Sequence, residues 1–216
     1  MIEAGHFGTS SEQIIVIPNF VKKDELEIIK RFLPRINRWV DPGESIFSDS
    51  GVCTYDADYW RHRQCSGDII KELDETIFLL IDELIQRMRI VLEERFNVLL
   101  RSRPPVLVRW TPGTEQQPHA DKQLNDGTPN PFPDYDINSL IYYNDEFTGG
   151  ELYYPDHGIE IKPEPGLAVA HPGDIFFLHG VKTITSGERW TTPSFYSVMG
   201  NESDSSERHH AYNANR

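Results

Sequence analysis

The run His119-Ala120-Asp121, with His179 later in the chain and Arg189 beyond it, combines the residue types of a metal site and an anion clamp. Two imidazoles and one carboxylate can cap one face of an Fe(II) ion and leave the other positions open for an organic acid and O₂. In extended backbone, residues i and i+2 project to the same side, so His119 and Asp121 can reach one ion while Ala120 points away. The tripeptide alone is a weak signal, because a chain with eight histidines can hold a surface histidine beside a loop carboxylate. Only His119 among them has Asp two positions on. The later His179-Gly180-Val181 and Gly187-Glu188-Arg189 strengthen the set.

The third ligand must come from a distant strand. Ala168–Ala170 and Ile175–Leu178 read as short apolar strands joined by the turn His171-Pro172-Gly173-Asp174, which delivers His179. Arg189 opens the next strand candidate, 189–199, entered through Ser186-Gly187-Glu188. A hairpin there brings its guanidinium back beside His179, where a two-pronged cation can hold a carboxylate. His171 itself reads as a loop histidine at the turn and not as a fourth ligand. Gly149-Gly150 reads as a tight strand connection, and Trp190 as packing.

The elements that must position these residues fall into two textures. Ile14 to Ile17 predicts a strand, Lys22 to Leu33 an amphipathic helix closed by Pro34, and Asp68 to Phe96 one long helix across the outer face of a sheet. From Pro104 onward, short apolar runs alternate with Pro, Gly, Asn and Asp, the pattern of a two-sheet jelly roll or barrel. The tail, 201–216, is polar and is expected to be disordered.

A chain of 216 residues can bury one sizeable core. Its net charge of −13 argues against a nucleic-acid backbone as the main partner. The basic stretch from Arg87 to Arg103 carries Glu93 and Glu94 within it and reads as one solvated helix face and its exit. Neither a targeting signal nor an apolar run of membrane-spanning length is evident. A cytoplasmic location is therefore expected, with no membrane partner, and Cys53 and Cys65 are expected as free thiols.

Five stretches, in order, carry a family resemblance: Val108 to Gly113, His119-Ala120-Asp121, Leu140 to Asp145, Gly149-Gly150-Glu151-Leu152, and Gly166 through Arg189. Together they resemble the catalytic core of the 2-oxoglutarate and Fe(II)-dependent oxygenases, in their prolyl 4-hydroxylase-like branch. The resemblance implies an α+β fold: a double-stranded β-helix (jelly roll) core with N-terminal helices packed on one sheet. It implies a single oxygenase domain over 1–200, with support and lid in 1–103 and the catalytic core in 104–200.

The same resemblance makes His119, Asp121 and His179 the Fe(II) ligands and catalytic centre. It makes 2-oxoglutarate a co-substrate with O₂, ascorbate a reductant, and succinate and CO₂ the co-products of hydroxylating an unactivated C–H bond. The intact Asp121 carboxylate disfavours halogenation, which needs that coordination position for halide. Arg189 is expected to pair with the distal carboxylate of 2-oxoglutarate. Tyr142 lends its hydroxyl to the same carboxylate or is an ordinary core tyrosine. Trp110 stands where the family usually has tyrosine, so it becomes a wall of the pocket. Asn138 stands where threonine is common and contacts co-substrate, substrate or only its own strand.

Two irregular segments, 39–66 and 122–136, are expected to face the substrate, the first as a lid carrying Tyr55, Trp60, Arg61 and Arg63. An extended peptide fits between them, and so does a small amino acid gripped by Arg61 or Arg63. A peptidyl-prolyl hydroxylase is the first reading, a hydroxylase of a free amino acid or small metabolite the second, and a non-catalytic metal or 2-oxoglutarate sensor the third.

Overall fold

In a computed structural model, residues 2–40, 61–128, 130 and 132–200 are described. The expected tail, most of the expected lid, Tyr55, Trp60 and Cys53 lie outside the described residues. Strand β1 (Ile15–Ile17) leads into helix α1 (Lys23–Phe32), whose first-turn Glu25 accepts from the Lys22 backbone N–H at 2.9 Å. The same carboxylate takes two bonds from Arg87, at 2.6 and 3.0 Å, which hold its pKa below the ordinary value. Part of the basic stretch therefore fastens one helix to another.

The long helix expected over 68–96 is two helices. Helix α2 (Gly67–Leu73) ends at Asp74, whose backbone is extended, and α3 (Glu75–Phe96) begins there. The Asp74 carboxylate accepts from the N–H groups of Thr76 and Ile77 at 3.2 and 3.4 Å, so this residue is a helix N-cap in mid-pattern. The apolar stripe runs across the break: Ile70, Ile77, Ile81, Leu84, Ile85, Met88 and Leu92 are all buried.

The remaining strands are β2 (Gln64–Ser66), β3 (Leu100–Ser102), β4 (Val106–Trp110), β5 (Gln116–His119), β6 (Ile137–Tyr142), β7 (Phe147–Gly149), β8 (Leu152–Tyr154), β9 (Ile159–Ile161), β10 (Ala168–Pro172), β11 (His179–Val181), β12 (Ile184–Gly187) and β13 (Arg189–Val198). The larger sheet has the order β1-β10-β6-β13-β4-β2, with β3 also on β13; the smaller has the order β5-β11-β8-β9, and β12 pairs β7. Neighbouring strands are antiparallel. This is a jelly roll with helices on one sheet.

Strand alternation divides the central strands between two cores. Ile137, Ile141, Tyr143, Ala168, Ala170, Trp190 and Tyr196 join the helices in the outer core. Tyr142, Leu152, Tyr154, Leu167 and Val169 form one inner cluster, and Val108, Trp110, Val181 and Ile184 another. Because β6 is buried on both faces, it reads as an almost continuous buried run.

Three local expectations are corrected. Residues Ile175–Phe177 form a 3₁₀ turn and not a strand, because the Asp174 carboxylate accepts from the Phe176 N–H at 3.1 Å and caps it. His171 belongs to β10, opposite Asn138, and is buried; Pro172 ends that strand without displacing it. The expected hairpin between His179 and Arg189 is also absent. β11 belongs to the smaller sheet, β12 pairs β7, and β13 runs through the larger sheet between β6 and β4. The Gly149-Gly150 connection has the expected tightness. Both have positive φ, and a Cβ on Gly149 would lie 2.0 Å from the Thr183 carbonyl oxygen.

Candidate metal centre and anion clamp

His119 ends β5 and His179 begins β11, and the two are register partners across that antiparallel pair. Their ring centroids are 4.5 Å apart. Asp121 follows on the extended exit of β5. Its Oδ1 lies 3.7 Å from His119 Nε2 and its Oδ2 3.6 Å from His179 Nε2. One ligand atom from each residue lies within 4.8 Å of the others, and the two histidines are buried. The spacing read from the sequence therefore closes into a three-donor face.

The backbone fixes the ring orientations. His119 Nδ1 is 2.9 Å from the Gln117 carbonyl oxygen and His179 Nδ1 is 3.1 Å from that of Phe177. A carbonyl only accepts, so each Nδ1 carries a proton and each Nε2 faces Asp121. Burial pulls the His179 imidazole down to about 4, against a partly opposing pull from Asp121, and so favours the neutral form that binds metal. The Gln116 side-chain amide sits 3.1 Å from His119 Nε2 and must turn aside when that nitrogen binds an ion.

Asp121 is held from several directions. Its N–H and that of Lys122 both donate to the Gly173 carbonyl at 3.0 Å, and Asn130 Nδ2 donates to the Asp121 backbone carbonyl at 2.7 Å. Asn138 Nδ2 donates to the carboxylate Oδ2 at 2.6 Å. The sequence leaves contact with co-substrate, with substrate or only with its own strand open for Asn138; the structure shows a different contact, to the Asp121 carboxylate. Next along the chain, the buried Lys122 ammonium bonds Asp136 at 2.7 Å and the Ile2 carbonyl at 2.9 Å, which anchors the turn leaving the site.

Arg189 is fully buried on the inner face of β13, paired with Trp110 on β4. Its guanidinium lies 5.1 Å from the ring centroids of both Trp110 and Tyr142, and Nη2 is 3.5 Å from the Tyr142 hydroxyl. Burial raises the Tyr142 pKa while Arg189 opposes the rise, so the phenol keeps its proton and can donate. Trp110, expected as a pocket wall, packs in the inner cluster with Val108, Val181 and Ile184. Among the described substrate candidates, Arg61 is exposed in a turn, and Arg63 is buried beside β2, where its carbonyl accepts from the Arg109 N–H at 2.9 Å.

The sequence reading missed several inward-facing polar groups. Thr191 Oγ1, Tyr154 Oη and Asn138 Oδ1 are buried without a hydrogen-bond partner among the described residues. His171 lies 4.3 Å, ring to ring, from His179, yet outside the three-donor group. Alternation along Arg189-Trp190-Thr191 and Leu152-Tyr153-Tyr154 would have placed Thr191 and Tyr154 on the inner face; nothing local marked them as polar lining. A three-donor face with a buried cation and orphaned hydroxyls nearby fits a divalent ion with a polyoxygenated acid.

No protein-family model matches the chain. A PKHD-type hydroxylase of Sphingopyxis alaskensis is 30% identical over 129 residues, 56% of this chain and 55% of the relative, so the chain spans about half the length of this curated relative. A viral collagen prolyl hydroxylase from Paramecium bursaria Chlorella virus-1, solved as its 2-oxoglutarate complex, superposes with a TM-score of 0.56 at 18% identity, over 88% of this chain and 97% of that one. A Trichoplax adhaerens prolyl hydroxylase, solved with a hypoxia inducible factor peptide fragment, gives 0.57 at 18% identity over 87% and 84%. The chain thus has the fold of the prolyl hydroxylases and resembles the prolyl 4-hydroxylase-like branch of the 2-oxoglutarate and Fe(II)-dependent oxygenases.

Proposed function

We propose that the protein is an Fe(II)- and 2-oxoglutarate-dependent dioxygenase that hydroxylates a peptidyl proline, releasing succinate and CO₂. The observation that carries the reading is the convergence of His119, Asp121 and His179 within 4.8 Å, in a fold whose other sheet carries the buried Arg189. In this reading Fe(II), when bound, supplies O₂ activation coupled to decarboxylation of the 2-oxo acid. One atom of O₂ goes to succinate and the other to the substrate hydroxyl.

The chain's own residues bind and orient. His119 and His179 turn their Nε2 atoms toward Asp121 because their Nδ1 protons are held by backbone carbonyls. Asn138 holds one oxygen of the Asp121 carboxylate at 2.6 Å and leaves the other to the ion. Arg189 neutralises the distal carboxylate of 2-oxoglutarate, and its two flanking rings exclude water, which strengthens the pairing. Tyr142 donates to the same carboxylate.

Support for a peptide substrate comes from the relatives: the Trichoplax neighbour was solved with a peptide fragment. A cluster of stacked rings, Phe132 with Tyr135 at 4.9 Å and Tyr135 with Phe195 at 4.2 Å, follows the turn after Asp121 and offers an apolar surface for a proline ring. The deciding experiment incubates Fe(II)-loaded protein and 2-oxoglutarate with proline-containing peptides and, separately, with free amino acids. Peptide gaining one oxygen atom at proline, in step with succinate, supports the proposal; oxygen gained only by a free amino acid overturns the peptide assignment.

A further inference from the structure

Tyr154 carries a hydroxyl that the packing around it does not use. On β8, Leu152 pairs with Val181 and Tyr153 with Gly180, so Tyr154 comes next toward His179, facing the interior like Leu152. Its ring lies 5.9 Å from that of His179 and edge-on, at 5.3 Å, to that of His171. The residue is completely buried in the apolar cluster of Tyr142, Leu152, Leu167 and Val169, a setting a phenylalanine would fill equally well. Yet its hydroxyl has no hydrogen-bond partner among the described residues.

Two features describe its setting. Burial, with smaller contributions from Tyr142 and Asp121, pushes the phenol's pKa well above the ordinary value, so the hydroxyl keeps its proton and can donate. His171 donates from Nδ1 to the Pro172 carbonyl at 2.9 Å, which fixes its ring edge-on against that of Tyr154.

We propose that Tyr154 is a ligand-binding residue of this chamber, its hydroxyl donating a hydrogen bond to an oxygen of a bound 2-oxo dicarboxylate between the Arg189–Tyr142 end and Asp121. The proposal rests on the dioxygenase reading and adds to it a donor from the smaller sheet, opposite the clamp. Both sheets then grip the same acid, and an acid lacking an oxygen at that point loses the contact.

The test titrates 2-oxoglutarate into protein loaded with redox-inert Mn(II), for wild type, Tyr154→Phe and Arg189→Met, and records Mn(II) affinity and the melting temperature of the metal-free protein alongside. Tyr154→Phe should weaken 2-oxoglutarate binding on the order of 10-fold, as expected for loss of one hydrogen bond to a charged ligand. Its Mn(II) affinity should not change, and its melting temperature should equal or exceed that of wild type, because an unsatisfied buried hydroxyl has been removed. Equal 2-oxoglutarate affinity in wild type and Tyr154→Phe, with Arg189→Met weakened, overturns this inference alone and assigns the hydroxyl to a buried water. A lower melting temperature with parallel losses of Mn(II) and acid binding overturns it in favour of a packing role. No binding by wild type removes the dioxygenase reading and this inference with it.

Discussion

Replacing Asn138 with Leu removes a side chain that donates a hydrogen bond to the Asp121 carboxylate. The bond is 2.6 Å long, to a charged acceptor whose side chain is only 13% exposed. A hydrogen bond to a charged group contributes roughly 1.5–3 kcal/mol. Independently, loss of an outer partner of a metal ligand typically weakens metal binding by about 10–100-fold, or roughly 1.4–2.7 kcal/mol. The two ranges overlap, so Asn138→Leu should weaken Mn(II) or Fe(II) binding by on the order of 10–100-fold. The fold should tolerate the change: Leu has a similar size, and the substitution also removes the buried Asn138 Oδ1, which has no partner among the described residues. Anaerobic calorimetric titration with Mn(II), paired with thermal melts of the metal-free protein, separates the two quantities. Wild-type metal affinity in Asn138→Leu would refute the claim that this bond orients the ligand, as would a metal loss that merely tracks a collapse in melting temperature.

The clamp and the histidines make further predictions. Arg189→Met should raise the 2-oxoglutarate dissociation constant by an amount equivalent to about 2–5 kcal/mol, the usual effect of truncating one side of a buried charged pair, with partial rescue by Lys, which keeps the charge and loses the fork; unchanged binding would place the anion site elsewhere. Stability of the metal-free protein should fall with acidification from about pH 6.5 toward 4, because the unfolded chain takes up a proton at residue 179 that the folded state refuses until about pH 4. The sign is that of a depressed histidine: its contribution is present above the unfolded pKa and lost as pH falls, at up to about 1.4 kcal/mol per pH unit. Buried His171 acts in the same direction. Denaturant melts at stepped pH check this, and His179→Gln should flatten the slope; a slope unchanged by that substitution would remove the buried-neutral assignment.

The metal face was legible because it depends on a local rule: alternation sets His119 and Asp121 on one side, and a third histidine of the right type was available downstream. Trp110 and Tyr142 were singled out by the family motifs that surround them, and both are buried beside the Arg189 guanidinium. What escaped was non-local or masked by a competing signal. The apolar periodicity of α2 and α3 is continuous through Leu73 and Ile77, so the Asp74 cap could not be seen without the backbone turning there. The Pro172-Gly173 pair made His171 look like a loop residue, although β6 pairs with β10 as far as Pro172. Arg189 reaches the chamber through the larger sheet and not by a hairpin from His179, which only the order of strands reveals. Tyr154 looked like any strand tyrosine, because nothing local showed that its buried hydroxyl would be left without a hydrogen-bond partner among the described residues.

The central claim is that His119, Asp121 and His179 together hold the Fe(II) on which turnover of 2-oxoglutarate depends. Its most direct test measures succinate formed from 2-oxoglutarate under O₂ by wild type and by Asp121→Ala, each loaded anaerobically with Fe(II), with metal content determined on the same samples. The account predicts one bound Fe(II) and succinate production in wild type, with both lost in a still-folded Asp121→Ala. Wild-type iron content and succinate production in Asp121→Ala would contradict it.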